Sequence, residues 1–209
     1  MTHTPATPGT PGAPGVSAED TAAIEAQLGR VPRGLRAVAH RCPCGLPDVV
    51  ETAPRLEDGT PFPTLYYLTC PRAASAIGTL EADGLMKEQT ARLAEDPELA
   101  AGYQRAHEDY IAKRDAIEVL AGFPSAGGMP DRVKCLHVLV GHSLAAGPGV
   151  NPLGDEALAK LPEWWRKGPC VCAGGAAETA PPTDDDPTEG DPTEDDPTDD
   201  PTDSQGDQR

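Results

Sequence analysis

The chain has 209 residues, of which 34 are acidic and 17 basic, giving a formal net charge of −17. An acidic chain without a basic stripe argues against binding to nucleic acid, because phosphates repel carboxylates. No stretch approaches the roughly 20 apolar residues needed to span a bilayer, and the first residues are neither basic nor apolar. We therefore expect a cytoplasmic protein that is not embedded in a membrane.

Both ends of the chain have compositions that cannot bury apolar surface. Residues 1–16 are rich in Pro, Thr and Gly, and residues 176–209 repeat Asp-Pro-Thr. Proline blocks helix formation and like charges repel, which predicts a disordered head and a disordered acidic tail. The intervening residues 17–175 are numerous enough to form one globular domain with its own core.

The first predicted elements are a helix and a small sheet. Ser17 and Asp20 resemble a capping box, and Gly29 follows the apolar run, so a short helix should open the domain. Three segments rich in Val, Leu and Tyr follow, separated by Pro and Gly, and they predict antiparallel strands. These segments are residues 36–40, 48–52 and 64–69.

The rest of the domain is predicted to be helical. Proline at the first turn, glycine after the last turn, and apolar residues spaced at three, four and seven are the features that indicate helices. The predicted helices are residues 71–83, 85–95, 97–121 and 131–146, followed by a short helix capped by Asp155. The predicted fold class is α+β, with a small antiparallel sheet and a helix-dominated remainder.

The six cysteines call for a chemical explanation, since the cytosol keeps thiols reduced and disfavours disulfides. Thiolates are the ligands of structural zinc and of iron–sulfur clusters. We predict a metal site formed by Cys42, Cys70, Cys135 and Cys172, with zinc favoured over an iron–sulfur cluster. Cys44 and Cys170 stay open as alternatives to their partners in the two Cys-x-Cys pairs, and ordinary burial of small apolar side chains is the competing explanation.

The predicted helix at 131–146 carries Cys135, His137 and His142. Residues two apart on a helix diverge by about 200°, so Cys135 is the expected ligand from this helix and His137 should point elsewhere. A thiol nucleophile at Cys135 is a further possibility, which would need tertiary contacts to bring an imidazole to it.

The main alternative function is that of an enzyme acting on a small anionic or phosphorylated compound. The glycine-rich loop at 125–130 followed by Arg132 and Lys134 would bring backbone N–H groups, a positive helix end and two cations together. His137 and His142 are the candidate acid/base groups. A plain helix start capped by Asp131 is the simpler interpretation of the same segment.

A third possible function is that of a non-catalytic module that binds a protein partner. Trp164 and Trp165 are adjacent in the chain and would serve either as interface anchors or as core residues.

Two long segments carry a family resemblance. PRLEDGTPFPTLYYLTCP at 54–71 and AGGMPDRVKCLHVLVGHSLAAGPGVNPLGD at 126–155 resemble the uncharacterised actinobacterial family called domain of unknown function 501, over roughly residues 20–172. The resemblance implies a bacterial cytoplasmic protein often encoded near enolase, a septum-formation initiator and an exopolyphosphatase. It implies no catalytic residue.

Overall fold

The first helix begins and ends at the residues that its capping pattern predicts. The computed structural model describes residues 15–171. In it α1 spans Ala18–Leu28, the Ser17 side chain accepts a hydrogen bond from the Asp20 backbone N–H, and Gly29 ends the helix with φ 66°. Glycine adopts this left-handed backbone conformation at little energetic cost, because it has no Cβ.

The three predicted strands form one antiparallel sheet in the order β1-β2-β3. β1 is Leu35–Arg41, β2 is Pro47–Thr52 and β3 is Tyr66–Leu68. β2 is the central strand, and most of its residues are buried. The antiparallel sheet and its strand positions confirm the prediction, although β3 is shorter than expected.

Five further helices follow the sheet. They are α2 (Pro71–Ala82), α3 (Leu85–Glu95), α4 (Pro97–Asp115), α5 (Leu136–Ala146) and α6 (Pro152–Lys160). Proline occupies the first turn of α2, α4 and α6, where its missing N–H leaves no intrahelical bond unmade. None of the helices in residues 15–171 combines the length and the apolar character needed to cross a bilayer.

The predicted extension of α4 to residue 121 is wrong, because the helix ends at Asp115. Arg114 is only 1% exposed, and its Nη2 donates a hydrogen bond of 2.8 Å to the backbone oxygen of Phe123. A buried guanidinium needs partners, and the chain that turns back after the helix supplies one for Nη2, whereas Nη1 is buried without a hydrogen-bond partner among residues 15–171. Leu120 is buried, but it belongs to that returning segment and not to a helix.

The predicted start of α5 at Asp131 is also wrong, because the helix begins at Leu136. The preceding loop folds onto itself: the Lys134 N–H donates to the Gly127 oxygen at 2.8 Å and the Arg132 N–H to the Gly128 oxygen at 3.1 Å. These bonds occupy the amides that a helix starting at Asp131 would have presented at its first turns.

α6 likewise begins earlier than expected, and its cap is not the predicted one. The side chain of Asn151 accepts a hydrogen bond from the Gly154 N–H and caps the helix, whereas Asp155 lies in the first turn. Asparagine is among the best residues at this position, because its side-chain oxygen reaches the free amides of the first turn.

α5 lies at the centre of the core and touches both the sheet and α6. A Cβ on Gly141 would be 3.1 Å from the Tyr66 backbone oxygen, and one on Gly154 would be 2.3 Å from the Leu139 backbone oxygen. Gly154 therefore allows backbones to approach more closely than a side chain permits, and Gly141 allows a contact that would be tight with a side chain. The buried apolar side chains of α5, β2, β3 and α4 form one cluster around this helix. The fold class is α+β, as predicted.

Candidate metal centre

Three side chains with metal-binding atoms meet where α2 and α5 pack together. Glu81 lies in the last turn of α2, Cys135 is the residue just before α5, and His137 lies in the first turn of α5. One ligand atom from each of them lies within 4.8 Å of the other two, and all three residues are partly buried. We call these residues the Glu81–Cys135–His137 group.

Hydrogen bonds hold the carboxylate and the imidazole in place. The Leu136 N–H donates to Glu81 Oε1 at 2.6 Å, and His137 Nδ1 lies 3.2 Å from the same oxygen. His137 Nε2 lies 3.3 Å from the backbone oxygen of Ala74 in α2. A carbonyl can only accept, so Nε2 carries a proton and Nδ1 faces the carboxylate.

The charges of the group reinforce one another. Burial lowers the pKa of His137, but the Cys135 thiol and the Glu81 carboxylate outweigh burial and raise that pKa to about 10. Burial raises the pKa of Glu81, yet its bonds with His137 and with backbone amides lower the pKa overall. At neutral pH the group without a bound ion therefore contains an imidazolium beside a carboxylate, located at the positive end of α5.

Cys135 and His137 come together because Cys135 is not in the helix. Its backbone is extended, with φ −152° and ψ 113°, so the angular divergence expected between helical residues two apart does not apply. The expectation that His137 points away from Cys135 is wrong for this reason. Glu81 is the member that the sequence did not suggest, since it is 56 residues from His137 and no local pattern connects them.

The structure describes three of the four predicted metal ligands and separates them into two places. Cys42 and Cys70 are 3% and 1% exposed and pack in one cluster, whereas Cys135 belongs to the Glu81–Cys135–His137 group. Cys172 lies outside the described residues. Cys44 and Cys170, the two alternatives, pack against Cys42 and Cys70. We call Cys42, Cys44, Cys70 and Cys170 the cysteine cluster.

Interactions between neighbouring sulfurs shift the thiol pKa values in the cysteine cluster. Interaction with Cys70, assisted by the Gln27 amide, lowers the pKa of Cys170 to about 6. The same pairing, followed by burial, raises the pKa of Cys70. Burial, followed by the proximity of Cys44, raises the pKa of Cys42 to about 11. The cluster therefore consists of two interacting pairs of thiols.

His142, one of the two candidate acid/base residues, is fully buried. Its Nε2 lies 2.8 Å from Asp109 Oδ2, and its Nδ1 lies 3.4 Å from the Asn151 side-chain nitrogen. The ring stacks on Tyr66 and meets Tyr110 edge to face. Asp109 separates it from a cavity of about 410 Å³ between α4 and the start of α6, into which Arg105 also faces. Both ring nitrogens of His142 are thus engaged inside the core.

The predicted anion-binding residues lie before α5 and not in its first turn. Arg132 and Lys134 are exposed, and within residues 15–171 their side chains make no hydrogen bond or ion pair. The Leu136 amide at the start of α5 is already bonded to the Glu81 carboxylate. A side-chain anion of the protein itself therefore occupies the position that a phosphate was expected to take.

The two tryptophans differ in burial: Trp164 lies in the core and Trp165 is half-buried against it. Trp164 is 9% exposed and packs in the cysteine cluster, and Trp165 meets it edge to face with ring centroids 4.6 Å apart. Trp164 is therefore a core residue of the last described segment.

Comparisons with known proteins place the chain in a family. Neither a search of the curated proteins nor a search of the solved structures gave a match. The family model described as "Protein of unknown function (DUF501)" matches residues 38–159, which is more than half of the chain. The matched segment includes all three members of the Glu81–Cys135–His137 group and every member of the cysteine cluster except Cys170. The chain therefore belongs to the DUF501 family.

Proposed function

We propose that this protein binds zinc at the Glu81–Cys135–His137 group. The observation that carries the proposal is the approach of a carboxylate, a thiol and an imidazole to within 4.8 Å of one another, from the end of α2 and from the residues at and just before the start of α5. Sulfur, nitrogen and oxygen are all normal zinc donors. An iron–sulfur cluster fits this group poorly, because such clusters are held mainly by several cysteine thiolates and only one is present here.

The orientation of His137 supports the proposal. Metal-bound histidines almost always donate their second ring N–H to a carboxylate, a carbonyl or water, which fixes the tautomer and the direction of the ring. His137 Nε2 donates to the Ala74 oxygen at 3.3 Å, which leaves Nδ1 facing Glu81 and Cys135. Zinc would replace the proton on Nδ1 and the proton on the Cys135 sulfur, both of which pass to solvent.

Three protein ligands would leave the fourth tetrahedral position of zinc open. Structural zinc sites are closed by four protein ligands, whereas catalytic sites keep one position for water or substrate. A zinc ion in this group would therefore have the ligand number of a site that activates water. All three residues of the group are partly exposed.

The test is the zinc content of the full chain. The protein is stripped of metal with a chelator in the presence of a reductant, reloaded with zinc, desalted and submitted to elemental analysis. C135S and H137Q should each bind one equivalent of zinc fewer than the wild type. H107Q is the matched control, since it removes another partly buried histidine that lies on α4, outside the group, and it should bind as much zinc as the wild type.

Circular dichroism and thermal melting establish that each variant is folded. Equal zinc content in folded C135S, folded H137Q and the wild type would contradict the proposal. In that case the same three residues would be an ion pair and a thiol that secure α5 to α2, and reactivity of Cys135 toward a thiol reagent would become the next measurement.

A further inference from the structure

The four members of the cysteine cluster come from three separate parts of the chain. Cys42 and Cys44 lie in the turn between β1 and β2, Cys70 immediately precedes α2, and Cys170 lies near the end of the described residues. The zinc site proposed above uses none of them. Four buried or partly buried cysteines gathered in one place need a reason of their own.

Backbone structure holds the first three cysteines firmly. The Gly45 N–H donates to the Cys42 oxygen at 2.8 Å, and the Cys42 N–H donates to the Leu46 oxygen at 3.0 Å, so residues 42–45 form a tight turn. Gly45 has φ 90°, which a residue with a side chain rarely adopts. Cys70 is held by the start of α2 and is almost fully buried.

Several groups around the cysteine cluster can stabilise negatively charged sulfur and so oppose the burial and thiol pairing that raise the pKa values of Cys42 and Cys70. Cys70 lies at the positive end of α2, where the helix dipole stabilises anions. The Gln27 side-chain amide donates to Cys170 Sγ at 3.2 Å. Arg72, whose Nη1 donates to the Gly168 oxygen at 2.8 Å, brings a positive charge to the same segment. The Trp164 indole nitrogen is buried in the cluster and has no hydrogen-bond partner among residues 15–171.

We propose that Cys42, Cys44, Cys70 and Cys170 form a second zinc site, a structural one with four thiolate ligands. Zinc would bind each sulfur at about 2.3 Å in a tetrahedron, and the four thiol protons would pass to solvent. In the structure no three of these sulfurs lie within 4.8 Å of one another, so the ion would draw the two pairs together. N–H donors such as Gln27 and Trp164 would stabilise the resulting charge.

A single ion suits the cluster better than an iron–sulfur centre does. Cys42, Cys70, Ala73 and Trp164 are buried and packed against one another, and one zinc ion adds much less volume than a cluster that brings its own sulfides. The site would fasten residues 164–170, which contain no described helix or strand, to the sheet and to α2.

The experiment is a zinc count on the full chain and on matched variants. After chelation and reloading under reductant, the wild type should hold two equivalents, and C135S should hold one, in the cysteine cluster. C44S and C170S should each lose the cluster equivalent and keep the other. C172S is the matched control, because it removes a cysteine two residues from Cys170 and should leave both equivalents in place.

If C44S or C170S fails to fold, the absorption spectrum of bound Co²⁺ tests the same site in C135S, which keeps all four cysteines of the cluster. Co²⁺ bound to C135S should show intense thiolate-to-metal absorption, whose strength follows the number of sulfur ligands. Absence of bound metal in folded C135S would overturn the second site while leaving the first intact. Loss of the cluster equivalent in C172S would overturn Cys170 as the ligand. The second site would also be overturned if protein kept under reductant had an intact mass lower by two or four hydrogens, because that loss would show one or two disulfides in place of free thiols.

Discussion

At the scale of single residues, the protonation of His142 is set by its surroundings. Burial lowers the pKa of His142 and outweighs the opposing effect of Asp109. At neutral pH the ring is therefore uncharged, with Nε2–H donating to the Asp109 carboxylate and Nδ1 accepting from Asn151. The folded protein therefore binds a proton at His142 only at a lower pH than the unfolded chain does.

The stability of the protein should depend on pH through His142. The unfolded state takes up a proton at His142 as the pH falls below about 6.5, while the folded state does so only at lower pH. The folded protein is therefore most stable, with respect to His142, above about pH 6.5. It loses stability as the pH falls below that value. Denaturant unfolding should be measured at neutral pH and near pH 5. The free energy of unfolding should fall less between these two pH values for H142Q than for the wild type. An equal loss in both proteins would contradict this assignment.

At the scale of elements, α5 and α6 are in contact through Gly154. A Cβ at this position would lie 2.3 Å from the Leu139 oxygen and 2.5 Å from Ser143 Oγ. Real contacts of this kind are never so short, and the nearest atom is backbone. The two helices can pack at this distance only if residue 154 has no side chain.

G154A should therefore destabilise the protein by about 1–3 kcal/mol, since added volume in a packed interface forces backbones apart. G78A is the matched control. Gly78 lies within α2 with nothing near its Cβ position, so alanine there should raise stability by about 0.5–1 kcal/mol. Urea unfolding of both variants checks the prediction, and equal effects of the two substitutions would refute it.

The elements that the sequence predicts well are those whose limits depend on local chemistry. The Ser17 cap and Gly29 define α1, Pro71 begins α2, and Gly84 separates α2 from α3. The end of α4 and the start of α5 depend instead on contacts made outside the helices, namely the bond from Arg114 to Phe123 and the self-folded loop before Cys135. Pattern and spacing carry no information about those contacts.

The candidate site shows the same division. Cysteine chemistry alone is sufficient to select Cys135 as a possible ligand. The pairing of Cys135 with Glu81 and His137 depends on the packing of α2 against α5 and on the extended backbone before α5. Neither feature is visible in a sequence read by periodicity, and the three predicted ligands that the structure describes, Cys42, Cys70 and Cys135, therefore lie in two separate groups.

At the scale of the whole molecule, two features oppose the binding of an inorganic anion. The net charge is −17, and the backbone N–H of Leu136 at the start of α5 is already bonded to the Glu81 carboxylate. We expect millimolar phosphate to leave the melting temperature unchanged relative to chloride of equal ionic strength, because a ligand stabilises only if it binds the folded state. A phosphate-specific rise that disappears in the double variant R132Q/K134Q would instead support the enzyme hypothesis.

The hydrogen bond between Gln27 and Cys170 joins residues that are 143 positions apart. Closing so long a loop has an entropic cost that rises with its length, and contacts of this kind form after local ones. The last described segment should therefore dock after the sheet and α5 have assembled. During synthesis, residue 170 leaves the ribosome after Gln27, Cys70 and the other residues that it packs against, so this corner of the protein forms only after residue 170 has emerged.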